Sequence, residues 1–182
     1  NLKKVKQNIS NLNNKKLINT ILSASNLIIA SLKNKKKIIF CGNGGSASDA
    51  QHLSAELLGK YLKNRKPLAS LDLNSNTSAI TAISNDIKFE EIFSRQLMAL
   101  GRKGDILFAI TTSGKSKNII KAIKVAKIKG IKTILLGSNK AKKIKNFVDL
   151  LIPSPGNRVD RIQETQIIIG HLICEIVEKK LS

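Results

Sequence analysis

The chain has 182 residues, 42% of them hydrophobic and 24% charged, a formal net charge of +20 and only two cysteines. That length suits one domain with a full core and excludes dependence on disulfide or metal staples. No apolar run approaches the ~20 residues that span a bilayer, and the lysine-rich start lacks the apolar region of a secretion signal.

Apolar residues at 1–34, among them Leu2, Val5, Ile9, Leu17, Ile21 and Ile28, recur at threes and fours. They predict two amphipathic helices broken near Asn13-Asn14, ahead of the first strand and free to pack on a second subunit. Short apolar runs at 38–41, 68–73, 105–110, 133–136 and 148–152 predict five strands of a buried, mostly parallel sheet. Helical patterns at 46–60, 77–83, 89–100, 117–129 and, briefly, 140–145 alternate with them. This is the pattern of a doubly wound α/β sandwich with right-handed crossovers. Pro153-Ser154-Pro155-Gly156-Asn157 reads as a loop and 160–180 as a last long helix; no repeat or linker divides the chain.

The charge invites a nucleic-acid partner. Lysines, however, are spread over most segments, aromatic residues are few and no base-reading motif is present, so no specific nucleic acid and no membrane partner are expected. Cys41 and Cys174 read as buried small hydrophobes in a reducing compartment, which sets the expected location as the cytoplasm.

Two strand-to-helix turns carry the functional signal: Cys41-Gly42-Asn43-Gly44-Gly45-Ser46 and Thr111-Thr112-Ser113-Gly114-Lys115-Ser116. Glycines let the backbone approach an anion, hydroxyls add neutral donors, and the following helix presents unpaired N–H groups and its positive dipole end. One such turn can merely reverse the chain, but two point to a phosphorylated small molecule at the carboxyl ends of the strands. Asn85-Asp86 either reaches the same rim or caps the helix that follows. Gly42-Asn43-Gly44-Gly45 lacks the third spaced glycine of G-x-G-x-x-G, and no acidic residue ends a second strand ~20 residues on, which argues against a dinucleotide.

The two histidines each have a polar companion on a helix. His52 and Glu56 share one helix face, a spacing that suits a divalent metal, an acid/base pair or an ordinary surface pair. Gln163 and His171 lie eight apart, roughly 80° around the axis, so both can lean toward one site.

CGNGGSASDAQHLSAEL, followed by SND, FSRQ, ITTSGKS and RIQETQIIIGH, resembles a sugar isomerase (SIS) domain and, within that group, the bacterial phosphoheptose isomerases. The resemblance runs from about residue 36 to the C-terminus, and the N-terminal helical pair fits as well. It implies a three-layer α/β sandwich: one SIS domain at 35–182 with a five-stranded parallel sheet flanked by helices, and 1–34 as a helical oligomerisation segment. It also implies a homotetramer with active sites at subunit interfaces. The implied reaction is aldose–ketose isomerisation of sedoheptulose 7-phosphate to D-glycero-D-manno-heptose 7-phosphate, the first step toward lipopolysaccharide heptose.

By position, the resemblance implies one zinc ion per subunit held by His52, Glu56, Gln163 and His171, with Glu56 and His171 doubling as acid/base residues. It assigns Ser46, Thr111, Thr112, Ser113 and Ser116 to the phosphate and nearby oxygens. Asn43, Gly44, Gly45, Asn85 and Asp86 take the rest of the sugar phosphate, and Asp160 is a weaker catalytic helper. Glutamine is an uncommon zinc ligand, so Gln163 alternatively hydrogen-bonds sugar hydroxyls; His171 either alternates between ligand and acid or mainly holds the metal. Thr111 stands where the family usually has Ser and keeps the hydroxyl; Lys60 stands where Arg is frequent and keeps the charge without the bidentate fork. A non-catalytic adaptor for a replication initiator and a sugar-phosphate sensor are the alternatives on the same fold; Glu56 and His171, both present, separate the isomerase from the adaptor.

Overall fold

The computed structural model describes residues 2–182, apart from the side chains of Lys142 and Lys143, so the first residue of the predicted N-terminal segment lies outside the described residues. Among these residues five strands, β1 (Ile38–Gly42), β2 (Ser70–Asp72), β3 (Ile106–Thr111), β4 (Lys132–Ser138) and β5 (Leu150–Ser154), form one parallel sheet in the order β2-β1-β3-β4-β5. Seven helices surround it: α1 (Leu2–Ser10), α2 (Lys15–Lys33), α3 (Gly45–Leu58), α4 (Thr77–Asp86), α5 (Ile92–Leu100), α6 (Lys117–Ile128) and α7 (Val159–Leu181). None of these helices is long and apolar enough to cross a membrane.

Strand alternation splits the core in two. Ile38 and Phe40 of β1 and Ile106, Phe108 and Ile110 of β3 face α2, α3 and α7, where they meet Ile28, Leu53, Leu57, Ile169 and Ile173. Ile39, Cys41, Leu107 and Ala109 face the other way, toward Phe93 and Leu97 of α5 and Ile119 and Ile123 of α6. Both cysteines are free and buried, and burial is the main force pushing the Cys174 thiol up to about 12, so both act as packing residues. The sheet reverses its direction of growth between β1 and β3, with β2 on one side of β1 and β3 on the other, so the loops after β1 and β3 meet at the switch point where ligands bind.

The helical break falls at Asn14, whose side chain caps α2 by accepting from the N–H groups of Lys16 and Leu17. α2 then buries Leu17, Ile21, Ala24, Ile28 and Ile29 in the domain's own core, while Leu2 and Ile9 of α1 stay exposed.

Several boundaries differ from the sequence expectation. β2 spans only three residues, because the chain before it is already held to α3 by Leu68 N–H on Leu57 O. β4 runs on through Gly137 and Ser138, and β5 lies two residues later than expected, taking in Pro153 and Ser154 from the predicted loop. Pro153 is tolerated there because β5 is an edge strand. The segment expected as a helix at 140–145 is a 3-10 stretch, Asn139–Phe147. Asn85 and Asp86 do not lie between helices but form the exposed last turn of α4, bonded to each other; the next short helical turn is capped by Lys88, so the capping alternative is not realised.

The loop between α3 and β2 is fastened to α7 by one buried ion pair. Arg65 Nε lies 2.9 Å from Glu178 Oε1, with both side chains only 2% exposed. Glu178 also accepts from the backbone N–H groups of Tyr61, Leu62 and Lys63, and the Arg65 guanidinium donates to the carbonyls of Glu56, Leu57, Gly59 and Lys66. One arginine thereby satisfies the orphan carbonyls at the end of α3.

Burial alone raises the Glu178 pKa, but the three amides and Arg65 outweigh it and hold the carboxyl below the ordinary glutamate range. A carboxyl lowered on folding contributes stability above its unfolded pKa of ~4.3 and loses it as pH falls through the folded value. Glu178→Gln strands the Arg65 charge and is expected to cost about 3–5 kcal/mol at pH 7. Urea titrations should show the gap to wild type narrowing below pH ~4; a gap independent of pH would contradict this account.

Candidate active site

One helix crossing and two loops build the site. α3 and α7 approach at Gly170, where a Cβ would lie 2.6 Å from Leu53 Cδ1. The next residue on each helix is a histidine facing the same opening: His52 Nε2 and His171 Nε2 are 2.9 Å apart. Glu56, one turn on from His52, brings Oε1 to 3.4 Å from His52 Nε2. One donor atom from each of the three lies within 4.8 Å of the others. Ligand atoms around a tetrahedral zinc ion stand ~3.3 Å apart for bonds of about 2.0–2.1 Å, so these nitrogens and oxygen fit such an ion with little movement.

Two residues that the sequence reading did not assign adjoin this cluster. The Tyr61 ring stacks on His171 at 5.8 Å between centroids, and burial first, then the nearby acidic groups, pushes its phenol pKa up, which keeps the hydroxyl protonated. Asp49, one turn before His52, buries Oδ2 without a hydrogen-bond partner; burial raises its carboxyl pKa and His52 opposes the rise. Tyr61 follows the end of the helix that carries His52 and Glu56, and Asp49 shares that helix's face, so helical spacing was the available signal for both.

The first glycine loop is held by three carboxamides from three elements. Asn74, just after β2, exchanges two bonds with Gly42, N–H to Oδ1 at 3.2 Å and Nδ2 to O at 2.9 Å. Asn118 of α6, 2% exposed, makes a reciprocal amide pair with Asn43 at 2.9 and 2.8 Å. Gln163 of α7 lies over Gly45, so close that a Cβ there would stand 2.4 Å from Nε2. Asn74 and Asn118 were missed because a buried asparagine beyond a strand or at a helix start looks like any turn residue.

The second loop carries its hydroxyls at the end of β3. Thr111 Oγ1 accepts from Gly114 N–H, Ser113 Oγ from Lys115 N–H, and the Thr112 carbonyl accepts from Ser138 Oγ at 2.5 Å. Ser116 is the N-cap of α6 yet makes no capping bond with its side chain, and α3 begins at Gly44 with no side-chain cap. Two helix starts therefore turn positive dipole ends toward the switch point, with the Ser46 and Ala47 N–H groups taken up by the Asn43 and Gly44 carbonyls and the Ile119 N–H by Asn118 Oδ1. Ser46 is buried in the first turn of α3.

Thr112, Ser113, Asp160 and Gln163 line one cavity of about 680 Å³. Asp160 is an ion-pair partner there, 2.7 Å from Arg158 Nη2; burial raises its pKa less than the Arg161 N–H and Arg158 lower it, so it stays ionised and is a poor proton carrier. The structure brings together the His52, Glu56 and His171 cluster, and it gathers Asn43, Gly44, Gly45, Ser46, Thr111, Thr112, Ser113, Ser116 and Gln163 around the strand ends. Asn85 and Asp86 bond to each other, and among the described residues no hydrogen bond links their side chains to either group.

A twin-loop parallel sheet with a histidine–carboxylate cluster between two crossing helices defines a sugar-phosphate isomerase type of SIS domain, and the SIS domain family model matches residues 2–138. The phosphoheptose isomerase of Rhodospirillum rubrum is 48% identical over 161 residues, covering 88% of this chain and 86% of that protein. That of Nitratiruptor sp. is 47% identical over 159 residues, covering 87% and 85%. Among solved structures, the phosphoheptose isomerase GmhA from Neisseria gonorrhoeae superposes with a TM-score of 0.91 at 38% identity, over 98% of this chain and 95% of that one. The phosphoheptose isomerase from Francisella tularensis gives 0.93 at 32%, over 98% and 94%. The chain belongs to the phosphoheptose isomerase family of SIS-domain proteins.

Because His52 and His171 flank the close α3–α7 contact at Gly170, added volume there should part them. Gly170→Ala is expected to cost about 1–3 kcal/mol through overpacking against Leu53. Urea denaturation checks it, and a variant as stable as wild type would show that Leu53 moves aside freely.

Proposed function

We propose that this protein is a phosphoheptose isomerase that converts sedoheptulose 7-phosphate to D-glycero-D-manno-heptose 7-phosphate. The observation that carries the reading is the convergence of His52, Glu56 and His171 in a fold whose two hydroxyl-bearing helix starts lack a side-chain N-cap, in a chain about 47% identical to phosphoheptose isomerases over most of its length.

The reaction moves a proton from C1 to C2 of the open-chain sugar through an enediol, with the C2 carbonyl oxygen becoming a hydroxyl and the C1 hydroxyl an aldehyde. Glu56 takes the C1 proton and returns it at C2 as general base and acid. His171, held by the Tyr61 ring, carries the proton exchanged between O1 and O2 when its Nε2 is free. The donor set His52, Glu56 and His171 would hold a zinc ion, with Gln163 either completing it or binding sugar hydroxyls, and a zinc ion there would supply a Lewis acid. Thr111, Thr112, Ser113, Ser116 and Ser46 bind the phosphate with neutral donors; Asn43, Gly44 and Gly45 position the sugar. Asn85 and Asp86 reach a site only by way of a neighbouring subunit. The outward apolar residues Leu2, Ile9, Ile18, Leu22 and Leu172 support assembly into a homotetramer with sites at its interfaces. The setting is the cytoplasm and the product feeds lipopolysaccharide heptose synthesis.

Sedoheptulose 7-phosphate incubated with zinc-loaded protein in D2O should gain deuterium at C1 of the ketose and at C2 of the aldose formed, read by NMR. Glu56→Gln should slow exchange at least about a hundredfold. Folded, zinc-loaded wild type that exchanges nothing would sink the isomerase reading.

A further inference from the structure

All the phosphate donors assigned so far are neutral, although the group they would bind is a dianion. The cavity shared by Thr112, Ser113 and Gln163 is also lined by Lys140 and Arg158. Arg158 is committed to Asp160 by bonds of 3.2 and 2.7 Å. Lys140 makes no ion pair with any described residue.

The backbone beneath Lys140 is fixed to the second loop. Lys140 N–H donates to Ser138 Oγ at 3.1 Å, and that same hydroxyl donates to the Thr112 carbonyl. One residue on, Ala141 is buried directly against Gly114, where a Cβ would come within 2.7 Å of Ala141 Cα. The end of β4 and the loop after β3 thus move as one unit, with the lysine at the edge of the hydroxyl cluster. A lysine ammonium is a compact charge on a flexible stem, suited to the changing outline of a phosphate rather than to a planar carboxylate.

We propose that Lys140 is a specificity-determining residue, the cation by which this hydroxyl cluster selects a phosphate dianion. The inference rests on the phosphate reading of the site given above and adds to it a cation that lines the cavity, where Lys115 of the loop itself is not among the lining residues. The phosphate is remote from the reacting C1 and C2, so its contact is equal in ground and transition states and acts on KM rather than on kcat.

The test uses zinc-loaded wild type, Lys140→Met and Lys140→Arg, with sedoheptulose 7-phosphate kinetics and a ³¹P NMR titration of inorganic phosphate at low and high salt. Lys140→Met is expected to raise both KM and the phosphate dissociation constant roughly tenfold. The effect should fall on KM and not on kcat, shrink as salt rises and be largely reversed in Lys140→Arg. Unchanged KM and phosphate binding in Lys140→Met, a loss confined to kcat, or a wild type that binds no phosphate would each overturn the proposal. Wild type that binds phosphate through Lys140 yet isomerises nothing would instead sink the isomerase reading and leave the lysine's role standing.

Discussion

The crossing of α3 and α7 at Gly170 is the constraint on which the chemistry depends. A glycine in a helix interior costs about 0.5–1 kcal/mol relative to alanine, so it persists where a side chain would keep the partner helix away. Leu53 fills that place. The histidines next to Leu53 and Gly170 in sequence are thereby carried to 2.9 Å from one another, although 119 residues separate them along the chain. At the far end of the same helix pair, Arg65 and Glu178 close the arrangement. Tyr61 is brought onto His171 by the same loop that Glu178 holds.

The glycine loop depends on a different device. Its backbone would be free to wander were it not for Asn74, Asn118 and Gln163, each arriving from a separate element. Carboxamides serve here because each is both donor and acceptor, so a neutral side chain can satisfy a backbone N–H and carbonyl together, as Asn74 does with Gly42. No charge is introduced that would compete with an anionic ligand. The starts of α3 and α6, which carry no side-chain N-cap, stay open at the switch point because the loop is stabilised from behind rather than by the side chains in front.

Much of this was legible in the sequence. The five strands, the helical break at Asn14, both phosphate-type turns and the His52–Glu56 face follow from alternation, helical spacing and turn chemistry, all of which are local. What was not legible depends on pairing between distant segments. β2 shrinks and β5 shifts because their limits are set by the strands beside them, and Pro153 is allowed only by an edge position that sequence does not reveal. Asn85-Asp86 looks like a break because its composition is that of a turn, yet α4 extends through it. Asn118 and Asn74 act through partners 75 and 32 residues away, and no spacing rule marks them.

The charge distribution adds a final argument for Glu56. The chain has 12 acidic residues against 32 lysines and arginines. Asp105, Glu90, Glu91, Asp160, Glu164, Glu175 and Glu178 form ion pairs with lysine or arginine. Asp72, Asp86 and Asp149 accept hydrogen bonds from Asn74, Asn85 and Thr133. Among the described residues the two left over are Asp49 and Glu56, which flank His52 on α3, and the near neighbour of Glu56 is His52 itself. A lysine or arginine beside a carboxylate stabilises its ionised form and weakens it as a base. Among the described residues no lysine or arginine pairs with Asp49 or Glu56, so the two carboxylates beside His52 on α3 carry no cation partner of that kind.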